Sequence, residues 1–182
     1  MEKAYAAWRA FQDKVLARAA ALLLVGCTLL ALLEVGRRYF IGRSFEWQQD
    51  AVTFFMLSGV YLYFSVAQRQ RSHLAVTMVP EICAVAGPRA RIAGEVVKLV
   101  ALVFSLVFLV AVVWWGFPEV EDAIKYESRT ESLAFPMWPF LAALLAGFAF
   151  MAVTMAFQIW FGIQKLLGRP VPAALADDEG GH

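Results

Sequence analysis

Charged side chains are scarce in this 182-residue sequence: they make up 17% of it, while 61% is hydrophobic. An ordinary soluble domain carries about 25% charged and about 45–50% apolar residues, so too little polar surface exists to coat a water-facing globule. The length suits one domain. Charge of one sign is missing as well. Sixteen Lys and Arg stand against fifteen Asp and Glu, a formal net charge of +1, and no global field would draw in nucleic acid. Cysteine is limited to Cys27 and Cys83, which excludes a disulfide framework and a zinc cluster. Histidine is limited to His73 and His182, so the axial pair of a haem between helices cannot be built. No cofactor is expected.

What is present is a set of charge-free runs. They cover residues 19–33, 51–68, 99–118 and 132–164. A bilayer core needs about 20 apolar residues of helix, because backbone groups left unpaired in lipid are costly. Four runs predict an all-α integral membrane protein with four transmembrane helices. The first is extended by Val15, Leu16 and Val35, with Arg18 and Glu34 reaching toward the headgroups. The last is too long for one crossing and too short for two, and Pro136 and Pro139 mark where its helix begins. The expected spans are 15–36, 48–68, 96–117 and 139–161, within a single membrane domain 1–168. The remainder, 169–182, has Pro170, Pro172 and an acidic, glycine-rich end that predict a disordered tail.

Orientation follows from Lys and Arg in the flanks. One side collects Lys3, Arg9, Lys14, Arg18, Arg69, Arg71, Arg89, Arg91, Lys98, Lys165 and Arg169, whereas the other has Arg37, Arg38, Arg43, Lys125 and Arg129. The expectation is cytoplasmic termini and middle loop, with the acidic stretch 119–131 outside. Tryptophans respect the layering. Trp47, Trp114, Trp115 and Trp138 fall at outer ends of spans, Trp8 and Trp160 at inner ends.

Interfacial amphipathic segments are expected too. In 1–14, Tyr5, Trp8, Phe11 and Val15 recur at helical spacing, which fits either a helix lying on the inner leaflet or a lead-in turn. Residues 74–92 are apolar but broken by Pro80 and Pro88, which suggests a surface-lying helix from about Pro80. Ser44 is a candidate cap before span two, where Glu46 and Asp50 would suit a helix N-terminus.

No reaction centre emerges. Leu24-Val25-Gly26-Cys27 matches a lipoprotein cleavage pattern, but the apolar run continues past the cysteine and three spans follow, so Cys27 reads as a packing residue. Ser58, Ser65, Ser105 and Thr154 are single hydroxyls that commonly bond back to their own helix. His73 reads as an interfacial hydrogen-bonding group. Gly59 and Gly147 suggest close helix packing. Glu34, the one borderline intramembrane acid, has Arg37 and Arg38 at helical spacing and is expected to form a local ion pair. Such a chain, rich in Phe and Trp, reads as a subunit of something larger.

Arg38-Tyr39 after span one, Trp47 with Asp50 opening span two, Arg69 to His73 after it, and Ser132-Leu133 followed by Pro136-Met137-Trp138 before span four occur in an order that resembles the small membrane subunit of tripartite ATP-independent periplasmic (TRAP) transporters. Gln49, Thr77 and Leu145 depart from that family's usual residues. The resemblance implies a non-enzymatic role in the bacterial inner membrane. A large many-span subunit would move an organic acid, driven by sodium ions, and a periplasmic substrate-binding protein would deliver it. This chain would hold the large subunit's static part in the bilayer. Arg38, Trp47, Asp50, His73, Trp114, Trp115 and Trp138 are then the candidate partner or membrane-anchoring contacts; generic headgroup anchoring explains them equally. The rival readings are a membrane anchor of a redox complex and a stand-alone tetraspan scaffold.

Overall fold

The computed structural model describes residues 2–43, 45–69, 88–130, 132 and 135–168, the side chains of 88–91 excepted. Several expectations therefore lie outside the described residues: the role of His73, the surface helix from about Pro80, the Ser44 cap and the tail 169–182. What is described is helical. The elements are α1 (Glu2–Phe11), a π-helical turn (Gln12–Leu16), α2 (Ala17–Ile41), α3 (Gln48–Arg69), α4 (Pro88–Lys125) and α5 (Trp138–Leu166). Among the described residues the extended structure amounts to an isolated bridge between Arg129 and Pro136.

Helix is the form that satisfies every backbone donor and acceptor without water, so runs this apolar adopt it. Four helices are long and apolar enough to cross a membrane: Glu2–Ile41, Gln48–Arg69, Ile92–Lys125 and Trp138–Leu166. They overrun the charge-free windows. At about 1.5 Å per residue, α4, with 38 residues, is about 57 Å long against about 30 Å of hydrocarbon. Charges end a window but not a helix. Glu119, Glu121 and Asp122 are exposed on the continuing helix, and Pro118 is carried inside it.

The helix ends turn by two devices. Gly42 adopts φ 72°, the left-handed conformation that costs glycine least, and its N–H returns to the Arg38 carbonyl at 3.2 Å. After α4 the same job falls to Glu127 at φ 47°. There Ser128 N–H reaches Ala123 O at 3.0 Å and Glu127 N–H reaches Ile124 O at 3.3 Å, a Schellman pattern.

The spans pack in a row: α2 on α3, α3 on α5, and α5 on α4. Small residues set how closely they approach. A Cβ on Gly147 would collide with the backbone carbonyl of Tyr61, so α3 and α5 touch there main chain to main chain. A Cβ on Gly59 would sit 3.3 Å from Ala20 O and from Leu24 Cγ, which marks the α2/α3 crossing. Cys27 is buried on α2, its Sγ 3.5 Å from Val52 O on α3, in a packing position.

The N-terminal segment departs from a surface-lying helix. Through the π-turn, α1 runs on from α2, and its aromatic side chains reach across to α5. Tyr5 meets Phe157 and Phe161 edge-on, with centroids 5.6 and 5.4 Å apart, while Trp8 and Phe11 meet Phe150, each at 5.9 Å. Advancing along α1 means retreating along α5. The rings prefer this contact because they bury against aromatic partners rather than against headgroups; Tyr5 is 2% exposed.

Candidate functional site

The loops that precede α3 and α5 bring together two of the residues singled out from sequence, Trp47 and Asp50. Asp50 lies in the first turn of α3. Its Oδ2 accepts the Ser132 N–H at 3.1 Å and the Ser132 hydroxyl at 2.5 Å, a carboxylate serving helix and distant loop together. Thr130 supports that loop. Its hydroxyl is 3.2 Å from that of Ser132 and its N–H donates to Phe135 O at 3.0 Å, while Met137 N–H donates to Ser128 O at 2.9 Å.

Aromatic contacts continue the cluster across the row. Phe135 meets Trp47 edge-on at 5.8 Å, Trp47 meets Phe45 at 5.2 Å, and the Arg37 guanidinium stands over the Phe45 ring at 3.6 Å. Phe45 N–H donates to Glu34 Oε2 at 3.3 Å. Glu34 is buried, and no ion pair joins it to Arg37 or Arg38 among the described residues. The expected local ion pair is thus corrected. The left-handed turn at Gly42 folds the chain back, so that Phe45 supplies Glu34 with a backbone donor and takes Arg37 onto its ring.

The other sequence candidates stand apart. Arg38 has an exposed side chain and contributes its carbonyl to the Gly42 turn. Trp138 opens α5 half-exposed, and Trp114 and Trp115 are 77% and 74% exposed on α4. A groove of about 560 Å³ between α4 and α5 is lined by Val110, Val113, Trp114, Phe117, Pro118, Ala149 and Ala152. Its lining is apolar, and a specific small-molecule site needs convergent polar groups. No group of three His, Cys, Asp or Glu side chains suited to a metal occurs among the described residues.

A second cluster, at the end bearing the termini, was missed in the sequence. Gln12 is fully buried, and its Nε2 donates to Ser65 O at 3.0 Å and to Thr154 Oγ1 at 2.9 Å, with Ser65 Oγ at 3.3 Å. Trp8 Nε1 donates to the same Thr154 oxygen at 3.1 Å, and Thr154 donates to Phe150 O at 2.9 Å. One turn further, Gln68 Nε2 donates to Gln158 Oε1 at 3.1 Å, and Gln158 Nε2 donates to Gln68 O at 3.0 Å. Arg69, 5% exposed, pairs with Asp13 at 2.6 Å. A signal existed: Ser65 and Gln68, Thr154 and Gln158, and Trp8 and Gln12 are spaced three or four apart, so each pair shares one helix face.

These networks hold helices and loops to one another. The family model described as Tripartite ATP-independent periplasmic transporters, DctQ component, matches residues 15–165. No curated protein matches the chain.

Proposed function

The chain belongs to the DctQ family of tripartite ATP-independent periplasmic transporters, and from that premise we propose that it is a buttress for a large transport subunit in the bacterial inner membrane. Both termini face the cytoplasm in this reading, as the distribution of Lys and Arg supports. The large subunit moves an organic acid with sodium ions, and a periplasmic binding protein delivers the acid. This chain supplies a fixed wall.

One observation carries the proposal. The four spans form a row in which α2 and α4 are the flanks, and both flanks expose large apolar residues, among them Leu22, Leu29 and Leu32 on α2 and Phe104, Val107 and Phe108 on α4. Such surfaces suit lipid or a neighbouring membrane protein. The middles of the spans hold no Asp, Glu, Lys or Arg with which to bind an ionic cargo. Trp47, Asp50 and Trp138 are assigned to ordering and anchoring the outer end, Trp114 and Trp115 to the flank offered to lipid or partner, and Arg38 to the first external turn.

Copurification tests the reading. Extraction in mild detergent is expected to recover a partner of about ten or more spans with this chain, whereas recovery of the chain alone would refute the proposal. In proteoliposomes holding both subunits, the binding protein and a sodium gradient, omission of this chain is expected to abolish accumulation of the acid.

A further inference from the structure

The matched family region begins at residue 15, yet the segment before it is built into the bundle. Ser65 and Thr154 meet where α3 and α5 cross near the termini, and both are fully buried. The donors they receive come from outside both helices: Gln12 Nε2 reaches both hydroxyls and the Ser65 carbonyl, and Trp8 Nε1 reaches Thr154. Buried polar groups in an apolar setting carry a penalty unless partnered. The segment 2–13 therefore completes the seam between α3 and α5.

Geometry explains how it arrives there. A π-turn spaces its hydrogen bonds one residue wider than an α-turn, so it rotates the helix on its N-terminal side relative to the helix on its C-terminal side. With the turn at Gln12–Leu16, α2 faces α3 while Tyr5, Trp8 and Phe11 face α5. Asp13 adds an ion pair to Arg69, and the Arg69 guanidinium also donates to Arg9 O at 3.4 Å. The segment bonds to both central spans at once.

We propose that the segment 2–13, α1 with the first residues of the π-turn, is a strap that closes the end of the α3/α5 seam near Ser65 and Thr154, with Gln12 as its latch. The strap belongs to this chain's own fold, and the proposal stands whether or not the buttress reading does. Docked, it satisfies the seam hydroxyls. Released, it exposes them and uncovers Arg69.

The test uses the full chain in native membranes, free of its own cysteines (Cys27→Ala, Cys83→Ala) and with a protease site inserted between residues 70 and 87. Two cysteine pairs probe the strap, Tyr5→Cys with Phe161→Cys and Phe11→Cys with Phe150→Cys. After treatment with a short bis-maleimide cross-linker and cleavage, the halves are expected to remain joined for at least one pair and to separate for the control pair Tyr5→Cys with Ile163→Cys. Gln12→Leu should also raise the rate at which N-ethylmaleimide labels Tyr5→Cys by about ten-fold, the equilibrium effect of one buried hydrogen-bonded group lost. Halves that separate as freely as the control for both pairs, or a labelling rate indifferent to Gln12→Leu, would overturn the strap.

Discussion

Gly147 lies directly on the backbone carbonyl of Tyr61, so that the two central helices meet with no side chain between them. A carbonyl is not the end of a flexible side chain and cannot swing aside. Gly147→Ala is expected to destabilise the protein by about 1–3 kcal/mol, the range for overpacking. Gly26 has open space around its would-be Cβ, and Gly26→Ala should be neutral or stabilising by about 0.5–1 kcal/mol. Thermal unfolding in detergent compares the two.

Asp50 ties the start of α3 to Ser132, 82 residues on. Asp50→Ala is expected to loosen residues 128–137 and speed their cleavage by protease, and Ser132→Ala to do so more weakly because Asp50 keeps the backbone donor. Limited proteolysis of the purified protein reads the order.

Glu127 holds a left-handed conformation at the end of α4. Side chains with a Cβ resist it and glycine does not. Glu127→Gly should stabilise the protein by about 1 kcal/mol, seen as a raised denaturation midpoint.

Gln68 and Gln158 bond to each other's residue across the α3/α5 seam. A double-mutant cycle with Gln68→Leu and Gln158→Leu is expected to give a coupling of about 0.6 kcal/mol and no more than about 1.7, as for other polar pairs between membrane helices. A coupling of zero would show that the two amides act independently.

Charge counting was sufficient to find the four spans, since lipid excludes ionised groups strongly enough to write itself into the sequence. It was less able to place the ends. Glu119 closes a window, yet α4 continues to Lys125, because a charged side chain on an exposed helix face can be solvated without breaking the backbone bonds. The π-turn at Gln12–Leu16 has no pattern of its own, so the turning of α1 onto α5 was hidden. Of the cluster around Asp50, Trp47 and Asp50 itself were legible as types suited to a helix start near headgroups. Their joining to Phe135 and Ser132 was not, because it depends on how two loops fold over one another. Glu34 misled for a related reason: helical spacing offered Arg37, and a backbone N–H eleven residues on was the better partner. Gln12, Gln68 and Gln158 were not singled out, although their spacing with Trp8, Ser65 and Thr154 held the hint.

The length of α4 has an electrostatic consequence. Anionic headgroups repel carboxylates, and at physiological ionic strength that repulsion fades over about 8 Å. From Phe117 to Lys125 the helix rises about 12 Å more, with Pro118 in its first turn. Glu121 and Asp122 stand about 6 and 8 Å past Phe117 along that axis, roughly one screening length out, so the headgroups' repulsion reaches them at about a third to a half of its strength and their carboxylates face solution.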